Sequence, residues 1–328
     1  MRLLILGGTH FFGRHLVEVA LSRGHEVTLF NRGTTNPELF PEVERLRGDR
    51  DGGLDVLRDR RWDAVVDSYG FRPRVVGDSV RLLQDAVEHY TFISTLGVYQ
   101  PSPDSKDEDS PLMELGGEDP EEVTIRNYGA LKALCEQVVR EGFGERALVV
   151  RSGLMMGPYD YTDRYTYWVG RVAEGGEVLA PGPPETHVEG ADARDLASWV
   201  VRMVEERRQG TYNVNGPAEP LHFGTFLETC RAISGSDARF TWVDEEFLHH
   251  NKVRVWEEIP VWLPRGAEGL CKVSNARARD AGLVFRPLAD TLRDILEWDR
   301  ARPAEERRRV AGMSPGRERE LLEAWHRR

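Results

Sequence analysis

Cysteine is scarce in this chain of 328 residues: Cys135, Cys230 and Cys271 lie far apart, without the paired spacing that frames a disulfide scaffold or a metal site. A reducing, cytoplasmic setting and no bound metal are therefore expected. Long apolar runs are missing as well. No stretch approaches the roughly 18 continuous apolar residues of a membrane-spanning helix, and the N-terminal apolar run breaks at Gly7, too soon for a signal-peptide core. Neither membrane insertion nor export is expected. Positive charge is in deficit, with 44 Lys and Arg against 55 Asp and Glu and a formal net charge of −11. Such a chain offers no field to attract a polyanion, which argues against nucleic acid as a partner while leaving room for a local basic groove.

What the chain does have is concentrated at its start. Arg2 to Leu6 (RLLIL) is a short apolar run, followed by Gly7-Gly8-Thr9-His10-Phe11-Phe12-Gly13 and then by a helical pattern over Arg14 to Arg23. Strand, glycine turn and helix in that order aim backbone N–H groups and a helix N-terminus at one spot, which suits a pyrophosphate. Glu26 to Phe30 reads as a second strand. It ends in Asn31-Arg32-Gly33, about twenty residues past the turn, where a dinucleotide's ribose is read. An acid there would bond the ribose hydroxyls and favour NAD(H); Arg32 suits a 2′-phosphate, so NADP(H) is preferred and NAD(H) stays possible.

Further strands are expected over Val43 to Gly48, Ala64 to Ser68, His89 to Thr95 and Ala147 to Arg151, with helices over Pro73 to Val87 and Asn127 to Phe143. Asp195 to Glu206 and Thr211 to Asn215 add one more helix and strand. The alternation implies an α/β fold, a doubly wound parallel sheet (Rossmann-like) with helices on both faces and the ligand at the carboxyl ends of the strands. Pro101 to Glu122 interrupts the rhythm with four prolines among nine acidic residues and reads as a loop. Residues 1–152 and 191–215 are expected to form a discontinuous dinucleotide-binding domain, and 153–190 and 216–328 a smaller C-terminal α/β substrate domain, rich in tryptophan. The mixed Arg and Glu of Arg300 to Arg328 suggest a solvated helix face.

Tyr128 and Lys132 are four residues apart on the second of those helices, hence on one face. An ammonium beside a phenol stabilises phenolate and brings Tyr towards the range where it can exchange a proton. Taken together, the glycine turn, Ser94-Thr95-Leu96-Gly97-Val98-Tyr99, Tyr128-Gly129-Ala130-Leu131-Lys132 and Arg151 to Pro158 resemble the extended and atypical short-chain dehydrogenases/reductases, the NAD(P)-dependent epimerase/dehydratase-like group. Gly7 and Gly13 match the outer glycines of the family's G-x-x-G-x-x-G turn, and His10 takes the middle slot. The resemblance implies Thr95, Tyr128 and Lys132 as the catalytic set. It also implies cofactor contacts from Gly7, Thr9, His10, Phe11, Phe12, Gly13, Asn31, Arg32, Asp49, Arg50, Ser68, Tyr128, Lys132 and Leu154, with Asp49 and Arg50 at the adenine. Leu96 and Gly97 stand where sugar 4,6-dehydratases carry an acidic pair, so dehydration is disfavoured.

Tyr159, Tyr161, Tyr165, Tyr167 and Trp168 crowd ten residues directly after this stretch. They suit either a wall for a flat or sugar-like substrate or an aromatic core. Tyr99, Tyr159, Asp160, Arg164, Trp168 and His187 are the candidate substrate contacts. The expected function is NAD(P)-dependent hydride transfer to or from a carbonyl or secondary alcohol of a small molecule. The alternatives are a nucleotide-sugar epimerase with tightly held cofactor and, less favoured, a non-catalytic dinucleotide- or RNA-binding protein, since chloroplast stem-loop RNA-binding proteins look similar at the GGT-x-F-x-G turn. A homodimer is expected as well. Val76, Leu82 and Ala86 on one helix, with Leu131, Cys135 and Val138 on the other, widen the apolar faces beyond one stripe, and the related enzymes pair through these helices.

Overall fold

The computed structural model describes residues 1–267, 272–303, 307 and 310–328. Cys271 and part of the charged C-terminal stretch lie outside the described residues. Two compact units are formed. The first comprises Met1–Met155, Ala193–Asn215 and Val273–Val284; the second comprises Met156–Asp192, Gly216–Lys272 and Phe285–Arg328. Residues 273–284, assigned above to the second part, thus pack with the first.

The first unit is built on a seven-stranded parallel sheet. Its strands are β1 (Arg2–Leu6), β2 (Glu26–Asn31), β3 (Glu44–Arg47), β4 (Trp62–Asp67), β5 (Val87–Thr95), β6 (Ala147–Ser152) and the strand Gly210–Val214. The order across the sheet is β3-β2-β1-β4-β5-β6 followed by Gly210–Val214. The chain therefore reverses direction of winding between β1 and β4, the switch point at which such sheets bind ligands. Leu3 to Leu6 are all buried, which is why β1 reads as an unbroken apolar run rather than an alternating one: both of its faces are covered.

Helix α1 (Phe11–Ser22) starts three residues earlier than its periodicity suggests. Helix α2 (Pro73–Leu83) stops four residues short of the expected Val87. There the sheet overrides the pattern: Trp62 N–H donates to Ala86 O at 3.0 Å and Val87 pairs with Trp62 in β5. Helix α3 (Tyr128–Phe143) follows the expected span, with Asn127 preceding it. Asn127 Nδ2 donates to Glu122 O at 2.8 Å and its Oδ1 accepts from Thr124 N–H at 2.8 Å, fastening the acidic loop to the helix.

Helices α2 and α3 pack on each other as well as on the sheet. A Cβ on Gly142 would sit 2.2 Å from Val80 Cγ1, and one on Gly77 would sit 3.5 Å from Val138 Cγ1. Val76 and Cys135 belong to the buried core of this layer, with Leu82, Ala86 and Val138 partly buried against it; Leu131 is fully buried. Of the residues from which a dimer contact was expected, three are buried within the chain and three are only partly covered by it.

Two buried ionic networks tie the strands together. Asp67, fully buried at the end of β4, receives both arms of Arg50, with Nη1–Oδ1 at 2.6 Å, and the hydroxyl of Tyr90 at 2.8 Å. Farther along the sheet, Arg151 of β6 grips Glu136 of α3 through Nε and Nη2 at 3.0 and 2.8 Å. Its Nη1 reaches Tyr99 Oη at 2.8 Å and Glu108 O at 2.9 Å. Ser94 Oγ donates to the same Glu136 at 2.5 Å, and Tyr99 passes the network on to Asn213 Oδ1 at 2.6 Å. This network, with main-chain bonds such as Met113 N–H to Val98 O at 2.7 Å, holds the acidic loop against the sheet.

The second unit is mainly helical, with helices Arg164–Ala173, Phe223–Ser234, Leu288–Ala301 and Pro315–His326 and a parallel pair of strands, Glu177–Pro181 and Arg239–Val243. Several of its aromatic residues, among them Tyr165, Tyr167, Trp168, Phe223 and Phe226, are buried in its core. Trp168 is fully buried, its indole N–H donates to Pro260 O at 2.7 Å, and its ring meets Phe223 edge-on at 5.1 Å.

Breaking the Asp67–Arg50 pair should destabilise the first unit sharply, because it leaves a largely buried guanidinium facing a neutral group. Asp67→Asn is expected to lose about 3 kcal/mol of unfolding free energy in urea, and Tyr90→Phe, which removes one hydroxyl bond, about 1 kcal/mol. Equal losses would show that the ion pair is not what holds this layer.

Candidate functional site

The glycine turn is shaped by contact. Gly7 and Gly8 have φ of +113° and +94°. A Cβ on Gly7 would meet Ser68 Oγ at 2.5 Å, one on Gly8 would meet Leu29 Cδ2 at 2.6 Å, and one on Gly13 would lie 3.0 Å from Gly8 N. The turn therefore closes on three glycines, Gly7, Gly8 and Gly13. His10, in the slot where the family's middle glycine falls, has an ordinary extended backbone (φ −130°, ψ 130°), so no glycine is needed there. His10 makes no side-chain cap to α1, the helix's first turn holds no acid, and the N-terminus of α1 keeps its partial positive charge for an anion. A cradle that a Cβ would fill, beside a helix N-terminus, fits a dinucleotide's pyrophosphate.

Neighbouring side chains lock the turn. Asn31 Nδ2 donates to Gly7 O at 2.9 Å while its Oδ1 accepts from Gly33 N–H at 2.9 Å. Asn36 Nδ2 donates to Thr9 O at 2.7 Å, and Ser68 Oγ to Leu6 O at 2.7 Å. Phe11 and Phe12 are buried under the turn. Arg32 is exposed at the end of β2. Asp49 is exposed beyond β3 and its Oδ1 accepts from Asp51 N–H at 2.9 Å. Arg50, expected at the adenine, hydrogen-bonds to Asp67 and to Ser79 Oγ, the latter at 3.0 Å.

At the far side of the switch point, the start of α3 is pressed against the exit of β5. A Cβ on Gly129 would lie 2.0 Å from Gly97 O, and one on Gly97 would lie 3.4 Å from Thr95 Oγ1 and 3.8 Å from Tyr128 Cε1. Gly97 therefore fills the gap between Thr95 and Tyr128, and its N–H donates to Thr95 Oγ1 at 3.1 Å. Thr95 and Tyr128 are set at this junction, Thr95 half-buried at the strand's last residue. Lys132, one turn on, is buried: its Nζ donates to Gly70 O at 2.8 Å and Ile93 O at 2.7 Å and lies 4.1 Å from the Phe92 ring centroid. Burial pushes its ammonium down from the usual lysine value to about 8. Phe71 joins the group, 6.0 Å from the Tyr128 ring, and stacks edge-on with Tyr69, which is 60% exposed beside the turn. Gly129, Asp67 and Phe71 were not among the candidate residues, and Gly97 was read only as the place of a missing acid. A signal existed only for the two glycines, each next but one or next to a motif residue.

The expected substrate contacts are less uniform. Tyr99 is buried with its hydroxyl engaged by Asn213 and Arg151, so it braces the fold rather than facing a ligand. Trp168 is core. Asp160 is buried, accepts from Thr162 N–H and Oγ1 at 2.9 and 2.7 Å, and is raised above the usual carboxylate range by burial. Tyr159 meets Trp298 at 5.6 Å, Arg164 lies over the Trp256 ring at 5.3 Å, and His187 packs on His222 at 5.3 Å, with burial lowering its pKa. Leu154 is half-buried past β6. Among the described residues no cluster of His, Cys, Asp or Glu could hold a metal ion.

Residues 74–215, from α2 through the strand Gly210–Val214, match the family model described as NAD dependent epimerase/dehydratase family. That match takes in less than half of the chain. The glycine turn precedes the matched residues and is an independent feature. The chain is 23% identical over 268 residues to the chloroplast stem-loop binding protein of 41 kDa b from Arabidopsis thaliana, covering 76% of this chain and 66%, just under two thirds, of that relative. Among solved structures, UDP-glucuronic acid 4-epimerase from Bacillus cereus in complex with NAD is similar with a TM-score of 0.65 at 16% identity, over 91% of this chain and 98% of that one. Human epimerase family protein SDR39U1 (isoform 2) with NADPH is similar with a TM-score of 0.62 at 23% identity, over 90% and 99%. At these identities the structural likeness is one of fold alone, an α/β architecture with a Rossmann-like sheet.

Burial of Lys132 has a measurable consequence for stability. Its folded pKa lies below the unfolded one, so between about pH 8 and 10.5 the unfolded chain binds more protons and stability rises with pH. The penalty is fully present below that window and relieved above it. Relative to Lys132→Met, the parent chain should gain on the order of 3 kcal/mol across it, measured by urea unfolding at each pH; a pH-independent difference between the two would mean that Lys132 titrates normally.

Proposed function

We propose that the chain is an NAD(P)-dependent oxidoreductase of the extended short-chain dehydrogenase/reductase type, acting on a carbonyl or secondary alcohol of a small or sugar-like molecule. The observation that supports this reading is the junction of β5 and α3, where Gly129 lets the helix start against Gly97, which lies between Thr95 and Tyr128, with Lys132 buried one turn on. A nicotinamide dinucleotide, when bound, supplies or accepts the hydride. Gly7, Gly8 and Gly13 receive its pyrophosphate at the start of α1. Thr95 Oγ1, accepting from Gly97 N–H, keeps its own hydroxyl hydrogen to donate to the substrate oxygen. Tyr128 Oη takes the proton of a secondary alcohol during oxidation and returns one to the carbonyl oxygen during reduction. Lys132, one helical turn away, lowers the energy of the phenolate by its positive charge. NADP(H) is the preferred cofactor, because the end of β2 presents Arg32 where an acid would select NAD(H).

A second reading is epimerisation: oxidation and re-reduction of the same carbon with the cofactor retained. It is favoured by the likeness in fold to the Bacillus cereus UDP-glucuronic acid 4-epimerase, which holds NAD, and would make a nucleotide sugar the substrate. RNA binding, which the name of the Arabidopsis relative suggests, is disfavoured by the net charge of −11. A reducing cytoplasmic setting suits Cys135 and Cys230, both free and buried; among the described residues no helix is long and apolar enough to cross a membrane.

Tyr128→Phe should keep cofactor affinity and lose turnover by about 10²–10⁴-fold, since the ring still packs but carries no transferable proton. Stopped-flow or steady-state rates with a turned-over alcohol or ketone, set beside cofactor Kd, test this. Turnover within a few-fold of the parent would overturn the Thr95, Tyr128 and Lys132 mechanism. Mass spectrometry of the purified chain separates the two readings: a stoichiometrically retained dinucleotide favours the epimerase.

A further inference from the structure

We infer that Arg47, at the end of β3, is a second cation of the 2′-phosphate subsite, and that it sets NADP(H) over NAD(H) together with Arg32. The inference rests on the NADP(H) reading of the same site. The strand register places Arg47 directly beside Asn31, with Gly48 N–H donating to Asn31 O at 3.1 Å. Its side chain then runs over Gly33: a Cβ there would lie 3.1 Å from Arg47 Nε and 3.5 Å from Cζ, and Gly33 itself has φ of +72°. The guanidinium thus covers the residue that follows Arg32. Asn31 joins this spot to the pyrophosphate turn, with one end of its amide on Gly7 O and the other on Gly33 N–H.

The surrounding charges make the pair distinctive. Arg45 is engaged by Pro37 O and Phe40 O, holding the loop after β2. Glu44 is engaged by Arg60 and by Thr28 Oγ1, and Asp51 by Arg72 and Arg74. Arg32 and Arg47 are both exposed, and among the described residues neither forms an ion pair. Two cations left uncompensated at the ribose-reading edge of a chain with net charge −11 call for a dianion. A 2′-phosphate supplies one, and Arg47 can bind it through two parallel N–H donors. A 2′-hydroxyl would leave both arginines with water.

The test is calorimetric titration of the full chain and its Arg47→Ala, Arg47→Lys and Arg32→Ala variants with NADP⁺ and NAD⁺, with thermal unfolding as the folding control. Arg47→Ala should weaken NADP⁺ by about tenfold while NAD⁺ affinity is unchanged, and Arg47→Lys should restore part of the loss. The advantage of the parent over Arg47→Ala should shrink as salt is raised. Unchanged NADP⁺ affinity in Arg47→Ala beside a loss in Arg32→Ala would overturn the role of Arg47 and leave the cofactor reading standing. Equal losses for both dinucleotides would also overturn it, making Arg47 a brace for Gly33. A parent chain that binds NAD⁺ as tightly as NADP⁺ would sink the NADP(H) reading, and the inference with it.

Discussion

The candidate site depends on one close approach, that of the first turn of α3 to the exit of β5. With a Cβ on Gly129 the two would collide, since it would lie 2.0 Å from Gly97 O. Because residue 129 is glycine the helix can start so near the strand end, with Gly97 lying between Thr95 and the Tyr128 ring. Lys132 follows from the same placement. Seated one turn into α3, its ammonium meets two main-chain carbonyls and an aromatic face instead of water. Those dipoles make a buried charge tolerable, and desolvation still pushes it down to about 8.

Behind this junction the sheet is braced by ions rather than by apolar packing alone. Asp67–Arg50 and Glu136–Arg151 bury opposite charges with near-complete hydrogen bonding, an arrangement that gains little net stability over apolar residues and fails badly when one partner is removed. Its value here is positional. Arg50 contacts Tyr69 O and Lys132 contacts Gly70 O, so the segment after β4 is held from two sides. Glu136 ties Ser94 of β5 to Arg151 of β6, steadying the strand that ends in Thr95. The same network captures the proline-rich acidic loop through Glu108 and Tyr99.

Aromatic density was an ambiguous signal because rings serve cores and ligand walls through the same dispersion and burial. Trp168, Tyr165 and Tyr167 are buried in the second unit, whereas Tyr161 is 53% exposed and Tyr159 is partly so. In the first unit the reverse held. Tyr69 and Phe71 had no motif to mark them, yet their rings line up with Tyr128 beside the glycine turn.

The alternation of strands and helices, the parallel sheet and the glycine turn were legible in the residues alone. Apolar runs, helical periodicity and a turn that needs positive φ are local properties, written within a few residues of one another. The order Thr95, Tyr128, Lys132 along those elements was also legible, because each falls at a strand end or near a helix start. Tertiary structure settled what depends on distant partners. Val87 went to β5 because Trp62 pairs with it, and Arg50 turned to an Asp67 that pairs with Leu6 across the sheet. Tyr99 became a brace because Asn213 and Arg151 lie beside it, and Arg47 came to cover Gly33 because β3 pairs with β2 in one particular register. No short window of sequence contains both members of any of these pairs, so only the folded chain could choose between the roles each side chain might take.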